Sequence, residues 1–228
     1  MSHQINISRI KAVARMLQVL QQPVVFVGGA TVSLYASAFA AEARPTDDVD
    51  VVIELASYNG YAILDEQLRK AGFINDAASG VICRYQMQGI VVDIMPTEPE
   101  VIGFSNKWYP AGFKHAETIQ LDDVEVKIFS LAYFIASKLE AFKGRGENDY
   151  RFSSDFEDIV YVLENNTDAE EALLSAPETV KSYLQKEFAL LLRDPNLEEG
   201  LYAHLEPANA PQQIIKIEQL LKRISEKE

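Results

Sequence analysis

Three aspartates have the residue type and spacing for phosphate chemistry. Asp48 and Asp50 flank Val49 in a predicted strand, where residues two apart face the same side, with Cβ atoms about 6 to 7 Å apart, while Asp47 faces away. Such a pair can converge on a divalent cation, or on two cations about 3.5 to 4 Å apart as in displacement at phosphorus. The alternative is a pair of solvated acids at the start of a strand.

Asp93 is the third candidate, because "IVVDIMP" places one acid in an apolar strand. An unpaired buried carboxylate is costly. Asp93 is therefore expected either near the strand end, in water, or beside the same cation.

Gly28 and Gly29 stand between the apolar strand "VVFV" (24–27) and a predicted apolar helix, 30–41. Glycines let backbone N–H groups approach a phosphate, and a helix N-terminus carries partial positive charge. The alternative role of the two glycines is tight packing at a strand-to-helix corner.

Hydrophobic periodicity and turn residues predict a mixed α/β (α+β) half, 1–129, whose mixed sheet is flanked by helices, and a C-terminal helical domain, 130–228, packed on it. Tight turns are predicted at Gln88-Gly89 and at Asp122-Asp123, and a loop at 97–115. The predicted strands are 24–27, 49–55, two within 80–96 and two within 117–129; the predicted helices are 7–20, 30–41, 60–71, 130–142, 154–164, 168–175, 177–192, 197–205 and 211–226.

Composition narrows the functional classes. The net charge of -13 argues against a general nucleic-acid binder, and residues 152–228 hold 7 basic and 16 acidic side chains. One cysteine, Cys83, excludes an internal disulfide and a cysteine-based zinc cluster. The N-terminus lacks the pattern of a signal peptide, and glycines and hydroxyl residues punctuate the uncharged run 24–41. A cytoplasmic protein without a membrane span is expected.

Several motifs in order resemble those of the nucleotidyltransferase superfamily typified by DNA polymerase β, and more closely those of the AbiEii-like and MenT toxins of type IV toxin–antitoxin systems. The matching stretches are the Gly-Gly turn, "RPTDDVD" (44–50), the later acid Asp93, "KLEA" (138–141) with Arg145, and "DFEDI" (155–159). The resemblance covers about residues 24–164 and implies that 1–129 is the nucleotidyltransferase catalytic domain.

The resemblance also implies roles for individual residues. Asp48, Asp50 and Asp93 would bind Mg²⁺ or Mn²⁺, and Lys138 and Asp155 would complete the catalytic group. The residues expected to bind the nucleotide phosphates are Gly28, Gly29, Thr31, Arg44 and Arg145. The alternatives are that Lys138 extends from a packed helix, that Asp155 is a first-turn acid, and that Arg44 pairs with Asp47.

These features predict an enzyme that moves a nucleoside monophosphate from a nucleoside triphosphate to a hydroxyl acceptor. The resemblance to the toxins suggests the 3′ end of tRNA as the acceptor, and a protein or a small molecule is the alternative. An antitoxin partner is then expected. The alternative is a protein of the same fold that binds a nucleotide or a partner without catalysis.

Overall fold

The computed structural model describes residues 2–20, 22–37, 40–55, 57–145 and 149–226. The chain forms two compact units. The first comprises the residues up to 31 together with 42–130, and the second comprises 32–41 together with the residues from 131 onward.

The first unit is built on a mixed sheet whose strands, among the described residues, are β1 (Val24–Val27), β2 (Asp48–Ile53), β3 (Ile74–Asn75), β4 (Arg84–Met87), β5 (Ile90–Pro96), β6 (Glu117–Leu121) and β7 (Val124–Ile128). They lie in the sheet in the order β3-β4-β5-β2-β1-β7-β6. β1 is antiparallel to β2 and parallel to β7, and β2 is parallel to β5, so the predicted mixed sheet is confirmed.

Both predicted hairpin turns are confirmed. Gln88 and Gly89 connect β4 to β5, and both have positive φ, 50° and 78°, as a two-residue turn matching the strand twist requires. Asp122 and Asp123 connect β6 to β7, with Asp122 at φ 51°. These turns fix the register of the strand pairs that they join.

The helices of the first unit flank the sheet, as predicted. They are α1 (Ser2–Leu17), α2 (Tyr58–Lys70) and α3 (Tyr109–Lys114). α1 starts five residues earlier than predicted and buries Ile10, Val13 and Leu17 on one face. α3 lies within the stretch 97–115, which was predicted to be a loop. Its period was missed because six residues make fewer than two turns.

The second unit is helical, as predicted. The helices are α4 (Leu131–Arg145), α5 (Ser154–Asn165), α6 (Ala169–Leu174), α7 (Glu178–Leu191), α8 (Leu197–His204) and α9 (Ala210–Ser225). The first nine residues of α4 are buried on every side, and α4 packs against α5, α6 and α7. No helix among the described residues is long and apolar enough to cross a membrane.

The helix predicted at 30–41 is wrong in type and length. A 3-10 helix runs only from Gly29 to Tyr35, and residues 38 and 39 lie outside the described part of the chain. β-branched and serine residues favour the α-helix weakly. Backbone groups of Tyr35 and Ser37 instead form hydrogen bonds near the C-terminus of α5. The Asn166 side chain donates to the Tyr35 carbonyl, and the Ser37 N–H donates to the Asn165 carbonyl.

Candidate active site

The register of the sheet brings the three predicted acids together. Asp50 on β2 lies beside Asp93 on the parallel strand β5, and Asp48 lies two residues before Asp50 on the same face. Each aspartate offers a carboxylate oxygen, and these oxygens lie within 4.8 Å of one another. We call Asp48, Asp50 and Asp93 the acidic triad. Asp47 is exposed.

The acidic triad fits a divalent cation. Carboxylate oxygens are the hard ligands that Mg²⁺ and Mn²⁺ prefer. Three carboxylates at this spacing also repel one another, so a cation between them is electrostatically favourable. Asp48 and Asp50 are partly exposed.

Gly28 places the end of β1 directly against the triad. Its φ of 72° is in the left-handed region, where a side chain is strained. A Cβ atom added at Gly28 would overlap the Asp50 carboxylate. The backbone can therefore approach Asp50 this closely only with glycine at position 28.

Gly29 makes room for Arg44. A Cβ atom added at Gly29 would lie 2.7 Å from Nη2 of Arg44 and 2.7 Å from the Thr46 methyl carbon. The structure thus brings together a glycine turn, a guanidinium group and a carboxylate of the triad, which is a suitable set for a phosphate near a cation. We call Gly28 and Gly29 the glycine turn.

Thr31 belongs to the same turn and is fully buried. Its hydroxyl donates to the Gly28 carbonyl at 2.9 Å, and its N–H donates to the same oxygen at 3.2 Å. Both bonds stabilise the turn. Direct phosphate binding by Thr31 stays a prediction.

Two residues of α1, neither of them predicted from the sequence, support the segment that enters β2. Arg9 donates to the Thr46 carbonyl, and the Thr46 hydroxyl donates to Asn6 Oδ1 at 3.3 Å. Asn6 is fully buried. The sequence contains a signal for Asn6, because this polar residue lies four residues before Ile10 and so on the apolar face of α1.

Arg84 on β4 contacts the acidic triad directly and was not predicted from the sequence. It lies opposite Asp93 and donates two hydrogen bonds to it, Nε to Oδ1 at 2.8 Å and Nη2 to Oδ2 at 2.7 Å. Nη2 also donates to Asp48 Oδ2 at 3.2 Å. The sequence contains a signal for Arg84 as well. A two-residue turn at Gln88-Gly89 fixes the register of the hairpin and pairs Arg84 with Asp93.

Cys83, next to Arg84, is buried and unsuited to nucleophilic chemistry. Burial and then the charge of Asp93 raise the pKa of its thiol to about 12. The thiol is therefore protonated at neutral pH, and the thiolate is the reactive form.

The predicted residues Lys138, Asp155 and Arg145 form an ion-pair group in the second unit. Lys138 Nζ on α4 lies 3.1 Å from Asp155 Oδ1 and 2.6 Å from Asp158 Oδ2 on α5. Arg145 donates to both oxygens of Asp155, at 2.8 and 2.9 Å. We call Lys138, Arg145, Asp155 and Asp158 the lysine cluster.

The lysine cluster is deeply buried except for Arg145, which is exposed. Burial alone would raise the pKa of Asp155, but the hydrogen bonds from Arg145 and the charge of Lys138 outweigh it and hold that pKa below its ordinary value. Two acids and two bases balance in charge. The catalytic roles of Lys138 and Asp155 and the phosphate-binding role of Arg145 stay predictions.

Comparison with known proteins adds two findings. A family model described as "Nucleotidyl transferase AbiEii toxin, Type IV TA system" matches residues 11–227. The crystal structure of an antigenic nucleotidyltransferase-like protein from Paracoccidioides brasiliensis is similar in fold, with a TM-score of 0.53 and 18% identity over 90% of this chain and 96% of that chain. A search of curated proteins found no significant match. The predicted resemblance and the predicted fold are both confirmed.

Proposed function

From the premise that this chain belongs to the AbiEii nucleotidyltransferase toxin family of type IV toxin–antitoxin systems, we propose that it transfers a nucleoside monophosphate from a nucleoside triphosphate to a hydroxyl acceptor and releases pyrophosphate. The observation that supports this most directly is the packing of the glycine turn against Asp50 of the acidic triad.

Asp48, Asp50 and Asp93 would hold Mg²⁺ or Mn²⁺ in this reaction. Such a cation supplies charge stabilisation to a reacting phosphoryl group and lowers the pKa of a bound hydroxyl. The protein contributes the oxygen ligands, fixed by the pairing of β2 with β5.

The glycine turn and Arg44 would bind the triphosphate. With no side chain at Gly28 or Gly29, a phosphate can approach backbone N–H groups, and the planar guanidinium of Arg44 binds two phosphate oxygens at once. Arg9 and Asn6 hold the Thr46 segment and so position Arg44 and the start of β2. Orientation of the substrate at this turn is the part of catalysis that the chain itself supplies.

The acceptor and the partner are the finer parts of the proposal. Resemblance to the toxins favours the 3′ end of tRNA, and the family implies an antitoxin as partner. The excess of acidic residues in 152–228 limits RNA binding to a local surface. A protein or small-molecule hydroxyl stays the alternative acceptor, and a cytoplasmic location stays a prediction.

The test is transfer of label from each α-labelled nucleoside triphosphate, with RNA, protein and small molecules separated afterwards. We expect Asp48→Asn and Asp50→Asn to lower transfer on the order of 1,000-fold, because each removes a cation ligand. Asp47→Asn is the matched control, since it changes the same charge on the exposed neighbour, and transfer should stay within about twofold.

Full transfer activity in Asp50→Asn would overturn the proposal. Label only in protein or small molecules would overturn the tRNA acceptor while leaving the transfer reaction intact.

A further inference from the structure

Arg84 shares one row of the sheet with the acids of the proposed site. The register places Val27, Asp50, Asp93 and Arg84 side by side on β1, β2, β5 and β4. Residues in register on neighbouring strands face the same side of the sheet. Arg84 is therefore fixed beside the triad by backbone pairing as well as by its own hydrogen bonds.

The contacts of Arg84 are those of a strong ion pair. Two parallel N–H···O bonds to Asp93 give the bidentate geometry that makes guanidinium–carboxylate pairs specific, and the third bond links Asp93 to Asp48. The Arg84 side chain is 26% exposed and that of Asp93 is 11% exposed, so water screens the pair only partly. The hydrogen bonds and charge of Asp93 raise the pKa of Arg84, so it is a permanent cation.

Two effects of Arg84 on cation binding oppose each other. As a hydrogen-bond donor behind a ligand, it orients Asp93, and loss of such a donor typically weakens metal binding about 10- to 100-fold. As a cation a few ångströms from the same oxygens, it repels a divalent ion. At an effective dielectric constant of about 20 this repulsion is the larger effect.

We propose that Arg84 is a positioning residue that serves as a built-in counter-charge of the acidic triad. It holds Asp48 and Asp93 together in the metal-free protein and weakens their binding of a divalent cation alone. Tight cation binding then requires the negative charge of a nucleoside triphosphate, so cation and nucleotide bind cooperatively. This inference rests on the proposed function, since it assigns a cation to the triad.

The experiment is calorimetric titration of the metal-free protein with Mn²⁺ alone. Arg84→Gln should bind Mn²⁺ about 10-fold tighter than the wild type or more, because the repelling charge is gone. Arg84→Lys keeps the charge and should bind Mn²⁺ like the wild type. Arg15→Gln is the control: it removes an exposed pair in which Nη2 of Arg15 donates to both oxygens of Asp123, and it should leave Mn²⁺ affinity unchanged.

A second readout follows the metal-free state. Arg84→Gln should lower the thermal unfolding midpoint without Mn²⁺, because Asp48 and Asp93 lose their shared counter-charge, and Mn²⁺ should restore the midpoint. If Arg84→Gln does not fold, the same Mn²⁺ comparison is made between Asp93→Asn and Asp93→Asn/Arg84→Gln. The double variant carries one repelling acid fewer than Arg84→Gln, which favours folding. Because it also lacks the positive charge of Arg84, it should bind Mn²⁺ more tightly than Asp93→Asn does.

Weaker Mn²⁺ binding by Arg84→Gln would overturn the inference and make Arg84 an orienting donor only. Unchanged Mn²⁺ binding together with weaker nucleotide binding would overturn it in favour of a phosphate contact. Transfer activity is not part of the readout. An inactive wild type that gave the expected Mn²⁺ result would therefore overturn the proposed function and support this inference.

Discussion

The acidic triad and the lysine cluster use the same residue types in opposite ways. In the triad, Arg84 contacts the carboxylates of Asp48 and Asp93, and Asp50 lies beside Asp93 in register. In the lysine cluster, Lys138 and Arg145 balance Asp155 and Asp158. Side-chain exposure differs as well: 35% for Asp48, but 3% for Asp155 and 1% for Asp158.

This contrast distinguishes an ionic group that stabilises the fold, the lysine cluster, from one suited to bind a cation, the acidic triad. A buried, charge-balanced and hydrogen-bonded group is strongly destabilised when one member is removed, because its partner is left buried and uncompensated. A partly exposed cluster of acids contributes repulsion to the folded state, and a bound cation relieves that repulsion. Substitutions in the lysine cluster should therefore mainly lower stability, and substitutions in the acidic triad should mainly weaken cation binding.

The largest effect on stability is expected from Lys138→Met. It removes the ammonium group that contacts both buried carboxylates, so the free energy of unfolding should fall by about 3 to 5 kcal/mol in urea titration. Lys143→Met, on the same helix, removes a more exposed lysine paired with Glu140 and Glu187 and should cost under about 1 kcal/mol. A Lys138→Met protein that is as stable as the wild type but inactive would contradict the stabilising role of the lysine cluster and support the predicted catalytic role of Lys138.

Gly28→Ala should affect both stability and transfer. The added methyl group overlaps Asp50, and alanine is strained at φ 72°, so we expect a loss of about 2 to 3 kcal/mol in stability and about 100-fold in transfer. Gly80→Ala is the matched control, because Gly80 has φ 73° and open space at its Cβ position. Equal stability losses in both variants would show that strain alone, and not the approach to Asp50, requires glycine.

Arg145→Gln should give a smaller loss that depends on pH. The pKa of Asp155 is lowered on folding, so its stabilising contribution is complete above its unfolded value of 3.8 and is lost as the pH falls through the lower folded-state pKa. Without Arg145 that pKa rises. We expect the variant to be less stable by about 1 kcal/mol at pH 7, since exposure of Arg145 screens the pair.

The difference between wild type and Arg145→Gln should then narrow as the pH is lowered below 3.8. Urea unfolding of both proteins at pH 7, 5 and 3 measures this difference in the free energy of unfolding. A difference that stays constant over this range would mean that Arg145 contributes by packing and not through the charge of Asp155.

Thr31→Val should lower the free energy of unfolding by a similarly small amount, about 1 kcal/mol, through loss of the hydrogen bond to the Gly28 carbonyl. Thr31→Ser keeps the hydroxyl and is the control. If the hydroxyl only stabilises the turn, KM for the nucleotide stays within about threefold in both variants. A raised KM in Thr31→Val without a stability loss would support the predicted phosphate contact.

Local patterns account for much of the fold and of the triad. A strand period of two placed Asp48 and Asp50 on one face, and the Gln88-Gly89 and Asp122-Asp123 turns located two hairpins. The failure at 30–41 has a physical cause. The backbone partners of Tyr35 and Ser37 come from residues 165 and 166, far away in the chain, and no local period reports them.

By itself, the sequence determined which residues could hold a cation and on which side of each strand they lie, because these properties follow from residue type and backbone geometry. Only the tertiary structure decided which residues meet: parallel pairing of β2 with β5 sets Asp50 beside Asp93, and α1 brings Asn6 and Arg9 to Thr46. It also decided the difference between the two ionic groups, because burial and charge balance are sums over side chains from distant parts of the chain. Arg84 lies between these cases, since the hairpin turn implied its neighbour Asp93 but only strand order added Asp48.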